Sequence, residues 1–260
     1  MMLDLKRAMI NFLKKEVEHR GFERVVFGLS GGLDSTVVAY LCQEAFGEGA
    51  KAVLMPSSKS SKQNFDDAME IVEILKIPYE IVKLEEYEKI FSKYDKMDRV
   101  RYGNFCARLR MTILYDIAQR DGSLVVGTSN KSERMLGYGT IYGDLACAIN
   151  PIGEIYKSDL FGFAKALGIP QKIIDKKPSA DLYEGQTDEE ELGLKYQEID
   201  NILKKILEKD LVLDDLSLVF DMIETEYSEN IVKDVLRRIQ KNRFKLCHPT
   251  VFNPSVKEKI

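Results

Sequence analysis

The stretch that decides the fold is GLSGGLDST, residues 28–36. An apolar run typical of a buried strand precedes it at residues 25–27, and residues 36–42 have the character of a helix. A glycine-rich turn between strand and helix leaves backbone N–H groups free at the helix N-terminus, where anions bind. Because Gly31 and Gly32 have no Cβ, the backbone can close around a phosphate group. The stretch therefore predicts a phosphate-binding loop.

The side chains of this loop add a metal to the predicted site. Ser30, Ser35 and Thr36 supply hydroxyl donors, whereas the carboxylate of Asp34 would repel a phosphate. A divalent cation between them removes this conflict, and Mg²⁺ commonly binds one or two carboxylates together with phosphate oxygens. The G-x-x-x-x-G-K-[ST] and G-x-G-x-x-G loops are both absent. An ordinary glycine turn in an α/β protein is the alternative interpretation.

Apolar runs alternate with helical periodicity along most of the chain. One helix is marked by apolar residues at i, i+3, i+4 and i+7 from Ala68, and others are expected at residues 105–120 and 158–167. The alternation predicts an α/β fold with a doubly wound, mostly parallel five-stranded sheet and helices on both faces. The strands are expected at residues 24–28, 52–55, 79–82, 124–127 and 147–150.

The ligand site is expected at the carboxyl ends of these strands, as in other open parallel sheets. The phosphate loop follows the first strand, Met55 ends the second and Thr128 follows the fourth. We therefore expect three loops to converge on one cleft. Residues 85–101 are expected to form a short helix and a mobile loop, and residues 83–102 and 137–143 are the two stretches expected to order on binding.

Two apolar stripes predict a helical C-terminal portion. They begin at Ile199 and Val232 and continue with helical spacing. Such stripes indicate either core packing or a dimer contact. Because no linker, repeat or low-complexity run interrupts the chain, residues 1–260 are expected to form a single domain.

Composition argues against several classes of protein. The net charge of −4 gives no support for a nucleic-acid surface, and no secretory signal or membrane span is found. Four widely spaced cysteines without a C-x-x-C pair indicate reduced thiols, and with only two histidines a zinc site is not expected. These features predict a cytoplasmic protein without membrane or nucleic-acid partners.

The motif S-G-G-x-D-S at residues 30–35 resembles the pyrophosphate loop of the ATP pyrophosphatases, which cleave ATP between the α and β phosphates. Within that group, further stretches resemble the ammonia-dependent NAD⁺ synthetases, in the same order, over about residues 22–200. These stretches are GNFCARLRM (103–111), GTSNKSE (127–133), the segment from YGD to NP (142–151) and KPSADL (177–182).

The resemblance implies a carbon–nitrogen ligase that uses ATP as co-substrate and Mg²⁺ as cofactor. The nicotinate carboxylate of deamido-NAD⁺ attacks the α-phosphorus of ATP and releases pyrophosphate. Ammonia then attacks the adenylated carboxyl group, giving NAD⁺ and AMP. The resemblance also implies a homodimer with the deamido-NAD⁺ site at the interface.

The resemblance gives each matched residue a role. The residues implied to bind ATP and its pyrophosphate are Gly28, Leu29, Ser30, Gly31, Gly32, Leu33, Asp34, Ser35, Met55, Thr128, Lys157 and Ser179. Those implied to contact deamido-NAD⁺ are Arg108, Asp144 and Lys245. Asp34 and Glu133 would bind Mg²⁺, and the catalytic set is Asp34, Glu133, Asp144 and Lys157. We add the hypothesis that Asp144 takes the proton lost by ammonium.

Several of these residues also have simpler interpretations. Glu133 could be a solvated acid in the first turn of a helix, and Thr128 a helix N-cap. Lys157 could be an ordinary surface lysine, and Arg108 a snorkelling side chain on a long helix. Met55 could be a plain core methionine.

Departures from the family pattern lie at the nicotinate end. Many members have a lysine where Ile141 stands and an aspartate where Ala148 stands, and both contact the dinucleotide there. The family's C-terminal His-Lys pair is represented by Phe244 and Lys245, so the histidine is missing. We expect ATP activation to be unaffected and the nicotinate contacts to differ.

Two other functions remain open from the sequence. One is another ATP pyrophosphatase, such as a GMP-synthetase-like amide-forming enzyme. The other is a non-catalytic module that senses ATP, which would not need both Asp34 and Glu133 or a second-substrate arginine. No glutaminase domain with a cysteine nucleophile is expected, so the predicted nitrogen donor is free ammonia.

Overall fold

A parallel four-stranded sheet forms the centre of the computed structural model, which describes residues 2–91, 98–179, 187–208, 227–247 and 251–252. The strands are β1 (Arg24–Gly28), β2 (Ala50–Leu54), β3 (Tyr79–Ile81) and β4 (Ser123–Val125). All neighbours run parallel in the order β3-β2-β1-β4. The switch in strand order beside β1 is where such sheets open a ligand crevice.

The prediction of a fifth strand is wrong. Residues 147–150 form only an isolated parallel bridge between Val126 and Ile149. Gly127 N donates to the Ile149 carbonyl, and Ala148 N donates to the Val125 carbonyl. Pro151 follows at once and has no N–H with which to continue a ladder.

Helices account for most of the remaining described chain. They are α1 (Met2–His19), α2 (Leu33–Phe46), α3 (Lys62–Leu75), α4 (Glu85–Phe91), α5 (Arg99–Asp121), α6 (Lys131–Leu136), α7 (Lys157–Leu167), α8 (Gln171–Ile174), α9 (Asp188–Leu192), α10 (Tyr196–Glu208) and α11 (Glu229–Asn242). Within the described ranges, no helix is both long and apolar enough to cross a membrane.

Helices cover both faces of the sheet, as predicted. Because strand side chains alternate, Val25 and Phe27 point to one face and Val26 to the other. The first face packs against apolar side chains of α1, α2, α3 and α7. The second face packs against α5 through residues such as Leu114 and Ile117.

The two C-terminal stripes form a core of their own. Apolar residues of α10 and α11 are buried together with Leu136 of α6 and Tyr156. Of the two interpretations left open by the sequence, the structure therefore favours core packing over a dimer contact. This helical portion packs against α6 and α7.

The charged segment before β4 starts its helix earlier than predicted. The short helix expected within residues 83–102 is α4, while residues 92–97 of the expected mobile loop lie outside the described ranges. Asp98 caps α5 by accepting a hydrogen bond at Oδ1 from Arg101 N (2.8 Å), so the helix begins at Arg99 rather than near residue 105.

Candidate active site

A cleft of about 1130 Å³ opens at the carboxyl ends of the strands. It is lined by the loop after β1, by Met55 after β2 and by Thr128 after β4, so the predicted convergence of three loops is found. Lys157 and Ser179 also line it. The volume exceeds the roughly 300–1,000 Å³ of an ordinary small-molecule pocket, so the cleft has room for more than one substrate group.

Hydroxyl groups shape the loop after β1. Ser35 Oγ lies 3.0 Å from Ser30 Oγ, accepts from Ser30 N (3.2 Å) and donates to the Gly32 carbonyl (3.1 Å). Thr36 is fully buried and its hydroxyl donates to the same carbonyl at 2.8 Å, so it braces the loop rather than facing the cleft. No described side chain caps the N-terminus of α2 at Gly32. A capless helix N-terminus behind a preformed loop favours an anion.

Gly31 is required by its surroundings. Its φ of +77° lies in the left-handed region that favours glycine. A Cβ at this position would lie 2.1 Å from the Asn64 carbonyl oxygen of α3. The loop can therefore pack this closely against α3 only with glycine at position 31.

Asp34, Glu133 and Lys157 meet at the mouth of this loop. Lys157 Nζ lies 2.6 Å from Asp34 Oδ2 and 3.8 Å from Glu133 Oε1. Asn130 Nδ2 also donates to Asp34 Oδ2, at 3.1 Å. The Lys157 side chain is only 5% exposed, so the interpretation of Lys157 as a surface lysine is wrong.

Burial and the charge of Asp34 both raise the pKa of Glu133, whereas at Lys157 burial and nearby charge have opposite effects on the pKa. Burial, with the nearby charge of Asp34 as a second cause, raises the pKa of Glu133 well above its usual value. Burial acts to lower the pKa of Lys157, but the charges of Asp34 and Glu133 outweigh it and the pKa is raised overall. The two neighbouring carboxyl groups therefore favour the charged form of the lysine despite its burial.

One oxygen atom of this cluster, Asp34 Oδ1, is suited to bind a metal ion. Asp34 Oδ1 is buried and has no hydrogen-bond partner among the described residues, although burial of an unpartnered carboxylate oxygen is costly. An oxygen in this position, with a second carboxylate from Glu133, matches the one or two carboxylates with which proteins hold Mg²⁺ beside phosphates. No group of three or more His, Cys, Asp or Glu residues with metal-site geometry occurs in the described part.

Glu133 is placed by a capping box at the start of α6. Asn130 Oδ1 accepts from Glu133 N (3.0 Å), and Glu133 Oε2 accepts from Asn130 N (3.2 Å). The residue that caps α6 is thus Asn130, and the interpretation of Thr128 as the cap is wrong. Glu133 does occupy the first turn of a helix, but it faces the cleft and is largely shielded from solvent.

Asp144 and Lys245 lie together at the other end of the cleft. Asp144 Oδ1 accepts from Thr140 N (2.9 Å), and burial raises the pKa of this carboxyl group. Lys245 Nζ donates to the carbonyls of Gly137 (2.8 Å) and Gly139 (3.0 Å), and burial lowers the pKa of Lys245. The lysine thus joins the C-terminal segment to the glycine-rich stretch at residues 137–143.

The structure does not bring Arg108 into the cleft. Its side chain is exposed on α5, and its Nε donates to the Ile141 carbonyl at 3.3 Å. Met55 is buried and lines the cleft, and its carbonyl accepts from Arg110 Nε at 3.1 Å. The core and ligand interpretations of Met55 are therefore compatible.

Sequence reasoning missed a buried polar group behind Lys157. Asp188 is 4% exposed and accepts from the hydroxyls of Tyr138 and Tyr196, both at 3.2 Å. Burial raises the pKa of Asp188. Lys157 Nζ lies 5.6 Å from the centre of the Tyr196 ring. The only signal was an acidic run, Asp188 to Glu191, which usually indicates a solvated helix start.

The chain is similar to known proteins over nearly its whole length. The model of the NAD synthase family matches residues 5–249. The NH₃-dependent NAD⁺ synthetase of Helicobacter pylori (strain P12) is 52% identical over 252 residues, covering 95% of each chain. That of Wolinella succinogenes is 46% identical over 248 residues, covering 95% of this chain and 94% of the relative.

Two solved structures resemble the fold closely. The NH₃-dependent NAD synthetase from Campylobacter jejuni is 36% identical with a TM-score of 0.80, covering 97% of this chain and 99% of its own. The NMN synthetase from Francisella tularensis is 31% identical with a TM-score of 0.85, covering 98% and 99%.

Proposed function

Because the chain belongs to the NAD synthase family, we propose that its cleft is the place where deamido-NAD⁺ is amidated to NAD⁺ at the expense of ATP. The family predicted from the motifs is thereby confirmed, and so are the fold class and the reaction. The nitrogen donor is ammonia. The observation that carries the assignment of the site is the meeting of Asp34, Glu133 and Lys157 at the mouth of the glycine loop.

The loop end of the cleft would hold ATP. A carboxylate is a poor electrophile, so the nicotinate group must first gain a good leaving group. The first step transfers the AMP portion of ATP to this carboxylate and expels pyrophosphate, so negative charge builds on the leaving phosphates. Ser30, Ser35 and the N-terminus of α2 are placed to accept that charge, with Lys157 as the buried cation beside them.

Asp34 and Glu133 would hold Mg²⁺ at the loop end of the cleft. The orphaned Asp34 Oδ1 supports this assignment, because a bound cation would supply the partner that it lacks. When bound, Mg²⁺ neutralises charge on the phosphates as pyrophosphate leaves. Asn130 would keep its hydrogen bond to the other Asp34 oxygen and so fix the carboxylate plane.

The second step takes place at the Asp144 end. Ammonia attacks the adenylated carboxyl carbon, the bond from that carbon to the AMP oxygen breaks, and a proton leaves the nitrogen. Asp144 is our candidate acceptor for this proton, because burial raises its pKa and so makes it a better base than an exposed aspartate. An Asp144→Asn variant should lose turnover at saturating ammonium; full turnover would eliminate this role.

We also propose that the enzyme works as a homodimer. Arg108, which matches a family contact to deamido-NAD⁺, is exposed on α5 instead of lining the cleft of its own chain. Exposed apolar side chains lie on the same helix and on α4, among them Val100, Tyr115 and Ile90. A second copy on this face would cover them and enclose Arg108. Light scattering should give twice the chain mass of 29.7 kDa; a monomer at working concentration would refute the proposal.

A direct test follows the products. The purified chain with ATP, Mg²⁺, ammonium and deamido-NAD⁺ should form NAD⁺, AMP and pyrophosphate in equal amounts. Pyrophosphate release that does not depend on deamido-NAD⁺ would point to another ATP pyrophosphatase, and no release under any of these conditions would point to a non-catalytic ATP-binding module. The deamido form of NMN should be assayed in parallel, because the Francisella tularensis neighbour is an NMN synthetase. Faster amidation of that mononucleotide would overturn the assignment of the dinucleotide.

A further inference from the structure

The ammonium group of Lys176 lies beside the glycine loop, in the wall of the cleft. Lys176 Nζ donates to the Gly31 carbonyl oxygen and to Asn64 Oδ1, both at 2.9 Å, and it forms an ion pair with Asp67. Lys176 follows α8, whereas Asn64 and Asp67 belong to α3. A single cation therefore joins the loop after β1 to two other parts of the chain.

The anchor for this cation is a buried carboxylate. The Asp67 side chain is 2% exposed and also binds Gln63 Nε2 (2.8 Å) and Lys172 Nζ (3.0 Å). Burial acts to raise the pKa of Asp67, but the hydrogen bonds from Lys176, Lys172 and Gln63 outweigh it and the pKa is lowered. The carboxylate is therefore ionised and holds Lys176 in one place.

The bond to Gly31 fixes the direction of the next N–H group. In a planar trans peptide, the carbonyl of one residue and the N–H of the following residue point in opposite directions. Ser30 and Gly32 line the cleft, whereas Gly31 does not, since it packs against the backbone of α3. With the Gly31 carbonyl held by Lys176 on the α3 side, the Gly32 N–H lies on the cleft side of the loop, where it donates to Ser30 Oγ at 3.3 Å.

We propose that Lys176 is a positioning residue for the pyrophosphate that leaves ATP. It would hold the Gly31–Gly32 peptide in the orientation that keeps its N–H and the Ser30 hydroxyl on the side of the phosphates, and it would place a positive charge beside them. The inference rests on the proposed function, because it takes the glycine loop as the pyrophosphate site. Lys176 also lies three residues before Ser179, which lines the cleft. It would therefore fix the position of the chain that leads to Ser179 relative to the glycine loop.

The chain offers a matched control on the same carboxylate. Lys172 pairs with Asp67 and with Glu70, is 47% exposed, and has no described bond to the glycine loop. Removing Lys172 takes one cation from Asp67 and leaves Gly31 bonded to Lys176. Removing Lys176 leaves Asp67 with Lys172 and Gln63, so the buried carboxylate still has partners in either variant.

The experiment compares the binding of two products. Inorganic pyrophosphate and AMP are titrated separately, with Mg²⁺, into the wild-type protein, Lys176→Met and Lys172→Met. Loss of one charge-assisted hydrogen bond to the loop should weaken pyrophosphate binding about tenfold in Lys176→Met. AMP lacks the phosphates that the loop would hold, so its affinity should stay within about twofold. Lys172→Met should match the wild type for both products.

Kinetics and a rescue complete the test. In Lys176→Met the KM for ATP should rise while the KM for deamido-NAD⁺ stays unchanged. Lys176→Cys treated with 2-bromoethylamine regains an ammonium of nearly the same length, and should regain pyrophosphate affinity; wild type treated likewise controls for the exposed Cys247. If Lys176→Met unfolds, Lys176→Gln takes its place.

Two results would overturn the inference. One is pyrophosphate binding in Lys176→Met that equals that of Lys172→Met. The other is an equal loss of pyrophosphate and AMP affinity, which would indicate general damage to the cleft. Failure of the wild-type protein to make NAD⁺ is a separate result, since it would refute the proposed function and not the role of Lys176 in the loop.

Discussion

The pyrophosphate end and the nicotinate end of the cleft are built by different means. At the pyrophosphate end, buried ion pairs fix the geometry, with Lys157 against Asp34 and Lys176 against Asp67. At the nicotinate end, the bonds of Lys245 within the described ranges go to carbonyl groups of a glycine-rich stretch, and Arg108 lies exposed. The first arrangement is preformed around fixed charges, whereas the second depends on loop backbone.

This difference matches the chemistry expected at each end. Expulsion of pyrophosphate needs charges that are already in place, because preorganised groups need not rearrange as the reaction proceeds. The nicotinate end must admit a large second substrate and then ammonia, so it can be held more loosely. We therefore expect loss of the fixed charge of Asp34 at the first end to lower kcat/KM far more than loss of the loop contact of Lys245 at the second end.

The largest effect is expected from Asp34→Asn. The change removes a proposed Mg²⁺ ligand and the close partner of Lys157, so kcat/KM should fall about a thousandfold. Steady-state NAD⁺ formation measures it. Asp66→Asn, an acid-to-amide change at an exposed residue of α3, is the control and should leave the rate unchanged. A loss of less than tenfold would remove the contrast between the two ends.

A moderate effect is expected from Lys245→Met. The glycine-rich stretch would lose the ammonium that bonds two of its carbonyls, so the KM for deamido-NAD⁺ should rise about tenfold. The KM for ATP should stay within about twofold, because Asp34 and Lys157 do not contact Lys245. Lys241→Met, at an exposed residue of α11, serves as the control. An equal rise in both KM values would show that the ends are not independent.

The smallest effect concerns stability and pH. Because burial raises the folded-state pKa of Asp144, folding favours its protonated form, and its contribution to stability is lost as pH rises through that pKa. Asp144→Asn removes this dependence while an amide oxygen can still accept from Thr140 N. The thermal midpoint of the variant relative to wild type should therefore be higher at pH 7.5 than at pH 4. A constant difference would argue against a raised pKa.

What the sequence could predict follows from how local each feature is. The glycine loop was readable because strand, turn and helix are adjacent in sequence, and its six-residue motif carries the chemistry. The parallel sheet followed from the alternation of patterns. The fifth strand was predicted wrongly because residues 147–150 have the composition of a strand. Whether they form a ladder depends on how the chain lies beside β4, and the pairing ends at Pro151 after a single bridge.

The contacts that complete the site join distant residues. Lys157 reaches Asp34 across 123 positions, and Lys176 reaches Gly31 across 145. The sequence around a single lysine does not indicate which residue the lysine will pair with. Only the family resemblance therefore pointed to Lys157, and nothing pointed to Lys176. Asp188 was hidden for another reason, since its acidic neighbours gave it the pattern of a solvated helix start.

The central claim is that the nicotinate carboxylate is activated by transfer of AMP at the pyrophosphate end. Deamido-NAD⁺ labelled with ¹⁸O in that carboxylate tests it most directly, with the purified enzyme, ATP, Mg²⁺ and ammonium. When ammonia displaces AMP from the adenylated carboxyl group, one labelled oxygen must leave with AMP. We predict one ¹⁸O in the phosphate of AMP and none in pyrophosphate. Unlabelled AMP, or label in pyrophosphate, would contradict the account.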